Sequence, residues 1–184
     1  MGIVPAYFIL PSAGVFHMSY YRRKFKKNML LHRPRLRRFL SKVEANPPKL
    51  LDTIAVEVEK DVWAETNCLA CSNCCREMTP TFTQEDLRRI APHLGMTIKA
   101  FKEKWLYKEK KTGDWMNVSR PCQFLNRNDN KCMIYEVRPA DCAGFPHLTK
   151  KKMVDYIHIH KQNVEYCPAT FKMVEKLMVA IKEL

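Results

Sequence analysis

Four cysteines fall within eight residues, Cys68-Leu69-Ala70-Cys71-Ser72-Asn73-Cys74-Cys75, and this run constrains the chain more than anything else in it. At the spacing i, i+3, i+6 and i+7 neither helical nor strand periodicity turns all four side chains toward one apolar face, so the run is not a packing feature. Eight cysteines in all could make four disulfides, but such frameworks belong to short secreted chains that lack a core. This chain has 184 residues, 46% of them apolar, which is enough to bury a core in one domain. Gly2–Tyr21 is uncharged, yet Pro5, Pro11, Gly14 and His17 interrupt it and no basic residue precedes it, so it lacks a signal-peptide layout. Gly2–His17 also lacks a helical period, and we expect Met18 to be the true start, with residues 1–17 not native. Reduced thiols in a cytoplasmic, non-membrane protein are the expectation, and reduced thiols in bulk point to metal.

A C-x2-C turn lets two sulfurs converge on one ion or cluster, and Cys74 extends the same step. The pattern resembles the run that holds three corners of a cubane in bacterial ferredoxins, which a remote Cys-Pro completes. Cys167-Pro168 supplies such a pair. The other thiols, Cys122, Cys132 and Cys142, stand ten residues apart. With Asn126–Asn130 as a hairpin loop, Leu125 would face Lys131 and Phe124 would face Cys132, which puts Cys122 diagonal to Cys132 on one face. Pro139 suits the first turn of a short helix bearing Cys142, whose N–H groups would favour thiolate. Adjacent residues of an extended chain point apart, so Cys74 and Cys75 should serve different sites. Cys68, Cys71, Cys74 and Cys167 form one expected set; Cys75, Cys122, Cys132 and Cys142 form the other.

Charge divides the chain. Lys and Arg number 32 against 19 acids, a net +13, and residues 1–47 carry +9 of it, with Glu44 their only acid. We therefore expect a basic N-terminal arm, 1–47, and a cysteine-cluster domain, 48–184. Leu36, Phe39, Leu40 and Val43 predict a helix over Arg33–Asn46, with Pro34 near its start and Pro47-Pro48 after it. Leu50–Thr66 reads as a second helix. Thr83 should cap Gln84–Ile90 with Asp86 as capping-box partner, and Thr97 should cap Ile98–Leu106. Trp115–Ser119, Cys122–Leu125 and Lys131–Tyr135 read as short strands, and Met153–Lys161 alternates like another. Pro168–Leu184 is a helix with Phe171, Val174, Met178 and Ile181 inward. The class is α+β: a small metal-stapled domain with few short antiparallel strands and flanking helices.

Other candidates read more plainly. His158 and His160 look like the solvated face of an edge strand, and His93 beside Pro92 looks like loop. His147 is the best additional ligand, though eight thiols suffice for two sites. Asp141 and Glu136 are better explained as a cap or an ion pair with Arg138 than as acid–base groups. No catalytic triad, phosphate loop or dinucleotide fingerprint is present. Tyr20 and Tyr21 beside Arg22–Lys27 could grip nucleic-acid phosphates, but the apolar stripe of the following helix favours a docked helix with a solvated charged face. A protein partner is the stronger expectation.

Cys68–Cys75, then Pro121-Cys122-Gln123-Phe124-Leu125, then Cys132 through Arg138-Pro139 to Cys142 and Phe145-Pro146, resemble the YkgJ-type cysteine-cluster family of zinc- or iron-chelating proteins. The resemblance spans Cys68 to Cys167 and implies metal or iron–sulfur binding by these eight cysteines. Ser72 stands where a Gly is usual, and Ala143 where an Arg is common. Flagellin lysine N-methylases carry a similar module in a much longer chain, so methyl transfer is not carried over. The expected cofactor is an iron–sulfur cluster, [4Fe–4S], used for redox or maturation work. The alternative is zinc in a structural binding module contacting a protein or nucleic acid.

Overall fold

The computed structural model describes residues 13–149 and 152–182. In chain order the helices are α1 (Ala13–Ala45), α2 (Leu51–Ala64), α3 (Cys68–Cys71), α4 (Asn73–Glu77), α5 (Gln84–His93), α6 (Ile98–Trp105), α7 (Ala140–Gly144), α8 (Ile157–Asn163) and α9 (Pro168–Lys182). The strands are β1 (Thr81–Phe82), between α4 and α5, then β2 (Leu106–Lys108) and β3 (Trp115–Asn117), both after α6. They form an antiparallel sheet in the order β1-β3-β2, with Phe82 opposite Trp115 and Leu106 opposite Asn117. The fold is α+β.

Two apolar cores divide the molecule. The first joins α1, α2 and α9 through Leu36, Leu40, Val58, Val62, Val174 and Leu177. The second packs Phe82, Leu87, Ile90, Phe101, Phe124 and Ile134 around the sheet and α5–α6. Cys167 belongs to the first core, whereas Cys122 and Cys132 pack against the second. The thiol-bearing segments therefore lie where the cores meet.

Helix α1 starts at Ala13, well before the expected Arg33, and Pro34 lies inside it. A proline within a helix costs about 3 kcal/mol. Phe25 and Met29 before it stay in phase with Leu36, Leu40 and Val43 after it, and all five are buried, so packing of the stripe carries the helix through. Residues 13–17 of the doubtful leader fall in this helix, and residues 1–12 lie outside the described residues. Helix α5 likewise runs past Ile90, through Pro92, to His93. Among the described residues no helix is long and apolar enough to cross a membrane.

Two expected strand regions fold otherwise. Met153–Lys161 is a 3-10 turn (Met153–Tyr156) followed by α8. Met153, Ile157, His160 and Val164 are all buried, a helical spacing that outweighs the two-residue alternation of Ile157 and Ile159. His158 and His160 consequently point to different surroundings. Around Cys122 and Cys132 the strand pairing among the described residues is an isolated bridge between Leu125 and Cys132. Asn126 N–H donates to Lys131 O at 2.9 Å, so Asn126 pairs instead of belonging to the loop, and the register moves one residue from the expected one.

The caps at Thr83 and Thr97 form as expected, the first as a full capping box. Asp86, fully buried, accepts from Thr83 N–H (2.9 Å), the Thr83 hydroxyl (2.8 Å), Arg89 (2.8 Å) and Ala140 N–H (3.0 Å). The last bond ties α5 to the start of α7, which carries Cys142. Burial alone pushes the Asp86 carboxyl up, but these hydrogen bonds outweigh it and hold the carboxyl below its ordinary value. Asp86→Ala should cost about 3 kcal/mol at neutral pH, because it strands several donors in the core. A lowered folded-state pKa stabilises above the unfolded value of about 3.9 and is lost as pH falls through the folded one. Thermal melts of wild type and variant should therefore converge as pH drops below about 4.

Candidate metal centre

The cysteine run folds as two short helices, α3 and α4, hinged at Ser72, which sits in the left-handed region at φ 48°. A side chain there costs about 1–2 kcal/mol, which explains why glycine suits the position. Ser72 holds it with its hydroxyl, which donates to Asn130 Oδ1 at 3.1 Å and lies 3.4 Å from Arg76 Nε. Asn130 is itself left-handed, at φ 62°, and also accepts from Arg76 Nη2. Both residues are buried. This hinge lets α3 and α4 present Cys68, Cys74 and Cys75 to one cavity.

That cavity, of about 340 Å³, is lined by six of the eight cysteines: Cys68, Cys74, Cys75, Cys122, Cys132 and Cys142. Phe124, stacked on Phe101 with ring centroids 6.0 Å apart, forms part of its apolar wall. Arg138 also lines it, its guanidinium lying 3.8 Å over the Tyr135 ring. Cys71 and Cys167 are buried outside the lining. Cys75 O accepts from Cys122 N–H at 2.8 Å, which clips the two cysteine segments together. No disulfide joins any of the eight. Among the described residues no three His, Cys, Asp or Glu side chains close on a common point at ion-ligating distance; the thiols ring a space instead.

Burial is the main force on most of these thiols. It pushes Cys68, Cys71, Cys132, Cys142 and Cys167 up, and Cys122 up to about 11. Opposing it, backbone N–H groups donate to sulfur from two residues on at Cys71 (from Asn73), Cys122 (Phe124), Cys132 (Ile134) and Cys167 (Ala169), and Thr170 N–H adds a second at Cys167. Asn117 Nδ2 also donates to Cys122 Sγ at 3.3 Å. Such donors stabilise thiolate over thiol.

Cys74 and Cys75 depart from expectation. They lie on α4, not on extended chain, with sulfurs 3.9 Å apart. Their shared hydrogen bond lowers Cys75 to about 7 and raises Cys74. Opposed side-chain directions therefore cannot be the reason for assigning them to different sites. Their neighbours differ, however. The nearby thiols that act on Cys74 besides Cys75 are Cys68 and Cys167, whereas Cys75 is among those acting on Cys122, Cys132 and Cys142. Cys75 also acts on Cys68 and Cys71, which belong to the other expected set.

The histidines stand back from this lining. His147 Nε2 meets Asp141 Oδ1 at 3.0 Å, and Asp141 Oδ2 accepts from Thr81 N–H. His160, read from sequence as solvated, is fully buried, and burial followed by the nearby His147 and His158 lowers it to about 4. His158 is exposed against Tyr156, and His93 ends α5. Asn117 and Asn130 escaped the sequence reading; their only signal was position, beside a strand end and at the close of an Asn-rich loop.

The family model of the CxxCxxCC domain, described as a "Putative zinc- or iron-chelating domain", matches residues 67–168. The chain belongs to this family. It is also 32% identical over 82 residues to an uncharacterized protein of Methanocaldococcus jannaschii, MJ0661, a match covering 44% of each chain. The chain thus spans under half of that relative's length. No solved structure matches. Metal binding is the family's chemistry, and a thiol-ringed cavity is suited to it.

The hinge offers a direct check. Ser72→Gly loses the hydroxyl contacts but relieves the left-handed strain, two effects of about 1 kcal/mol each, so its stability should stay near wild type. Ser72→Ala loses the contacts and keeps the strain, and should be destabilised by about 1 kcal/mol. Denaturant titration of both variants would show the order; Ala equal to or better than Gly would refute this account of the turn.

Proposed function

We propose that the chain is an iron–sulfur protein, with its eight cysteines holding cluster iron, [4Fe–4S], for electron transfer or the maturation of a partner protein in the cytoplasm. The observation that carries the reading is the cavity of about 340 Å³ ringed by six thiols. A single Zn²⁺ takes four sulfurs at about 2.3 Å and needs no such space between them. When bound, a cluster supplies one-electron redox chemistry. The chain's own part is to provide thiolates and to aim backbone N–H groups at Cys71, Cys122, Cys132 and Cys167. Hydrogen bonds to sulfur are among the factors that set a cluster's potential. Arg138 places positive charge near Cys68 and Cys132, and Arg22 near Cys71.

The ligands divide, in this reading, into Cys68, Cys71, Cys74 and Cys167 on one side and Cys75, Cys122, Cys132 and Cys142 on the other. The different thiol neighbours of Cys74 and Cys75 support the division. Zinc is the alternative that the family description leaves open, with the metal as a structural staple between the two cores.

Anaerobic purification followed by iron, zinc and acid-labile sulfide analysis tests the reading. Iron with comparable sulfide and a visible absorption band are expected; colourless protein holding only zinc, without sulfide, would overturn it. Cys74→Ser and Cys75→Ser, made separately, should each remove a different part of the metal and leave the remaining spectrum intact. Loss of the same metal from both, or no loss from one, would refute the two-site division.

A further inference from the structure

Beside the thiol cavity lies a second concavity, a groove of about 470 Å³ between α1, α4 and the Arg127–Asn130 loop. The two share Asn130 in their linings. Three chain segments send cations into the groove: Arg22, Arg23 and Lys26 from α1, Arg76 from α4, and Arg127 from the loop. Its floor includes Phe25 and Met29. Two acids line it, and both are engaged. Glu165 binds Arg33 (3.1 Å) and Arg37 (2.6 Å) outside the groove, and Glu77 faces Arg22 at 3.8 Å. Arg23, Lys26 and Arg127 are exposed and, among the described residues, none of the three pairs with a carboxylate.

We propose that this groove docks an acidic segment of a partner protein, one that alternates carboxylates with apolar side chains. The unpaired cations supply charge complementarity, which sets specificity and speeds encounter. Phe25 and Met29 offer an apolar base, and Leu30, 59% exposed, extends it: Leu30 lies four residues after Lys26 and seven after Arg23, on the same side of α1. A nucleic-acid backbone is the poorer fit, because it needs a continuous cationic track, whereas Glu77 and Glu165 interrupt this one. The docking surface goes beyond the metal-binding reading and does not depend on which metal the thiols hold.

Fluorescence anisotropy with the metal-loaded full chain tests it, using a short labelled peptide of alternating Glu and Leu. Comparison probes are the same peptide with Gln for Glu and a single-stranded DNA of equal charge. The acidic peptide should bind and weaken with added salt. Arg23→Glu with Lys26→Glu should weaken it about tenfold, with metal content unchanged because both side chains are exposed. Lys110→Glu with Lys111→Glu makes the same charge change on the distant β2–β3 loop and should have little effect. The proposal is overturned if the acidic peptide does not bind, if both double variants weaken it equally, if the Gln peptide binds as well, or if the DNA binds more tightly and is lost with the groove variant.

Discussion

The left-handed turn at Ser72 is the constraint on which the rest of the centre depends. Without it, α3 and α4 would run on as one helix, and their four thiols would spiral around it instead of three of them, Cys68, Cys74 and Cys75, bordering the cavity. The turn is kept by atoms distant in sequence. The Ser72 hydroxyl and the Arg76 guanidinium both reach Asn130, the residue that closes the Arg127–Asn130 loop. That loop connects the Cys122 and Cys132 segments, so holding the turn also positions these two thiols. The bond from Cys122 N–H to Cys75 O completes the connection.

Gathering thiols at the boundary of two apolar cores has an electrostatic consequence. Burial and mutual repulsion push most of them toward the neutral thiol, and the backbone donors oppose this only in part. The balance shifts toward thiolate when a cation arrives, and the displaced protons leave with its binding. Metal affinity in such a site rises with pH for that reason, and in the metal-staple reading the free energy of binding would also hold the two cores together. Among the described residues the second core is modest, eight buried apolar residues around a three-stranded sheet of two- and three-residue strands.

The sequence made the local features legible and hid those that depend on packing. Thr83 and Thr97 announced their helices because a cap is a contact within four residues. The stripes of α2 and α9 were legible for a similar reason, since 3.6-residue periodicity reflects burial along a whole element. Met153–Lys161 misled because Ile157 and Ile159 alternate while Met153, Ile157, His160 and Val164 follow a helix, and only the fold shows that His160 is inside. The hairpin register turned on whether Asn126 pairs with Lys131, a choice of one hydrogen bond. Cysteine spacing announced a metal centre, yet Asn117, Asn130 and the Ser72 hinge support it through contacts spanning up to 58 residues.

The basic helix shows why two readings of one segment need not compete. A 33-residue helix has several sides, and the sequence assigns them separately. Phe25, Met29, Leu36, Leu40 and Val43 turn inward and make α1 part of the first core. Arg33 and Arg37 turn toward Glu165, and Arg22 toward Asn73 and Glu77, so some of the charge is structural. The Arg22–Asn73 bond, at 3.2 Å, fixes the helix against the residue that follows the Ser72 hinge. What remains, Arg23, Lys26 and their neighbours, is therefore held by a docked helix at a defined place beside the thiols. Fixed cations lose less entropy on meeting a partner than the same residues would on a free arm.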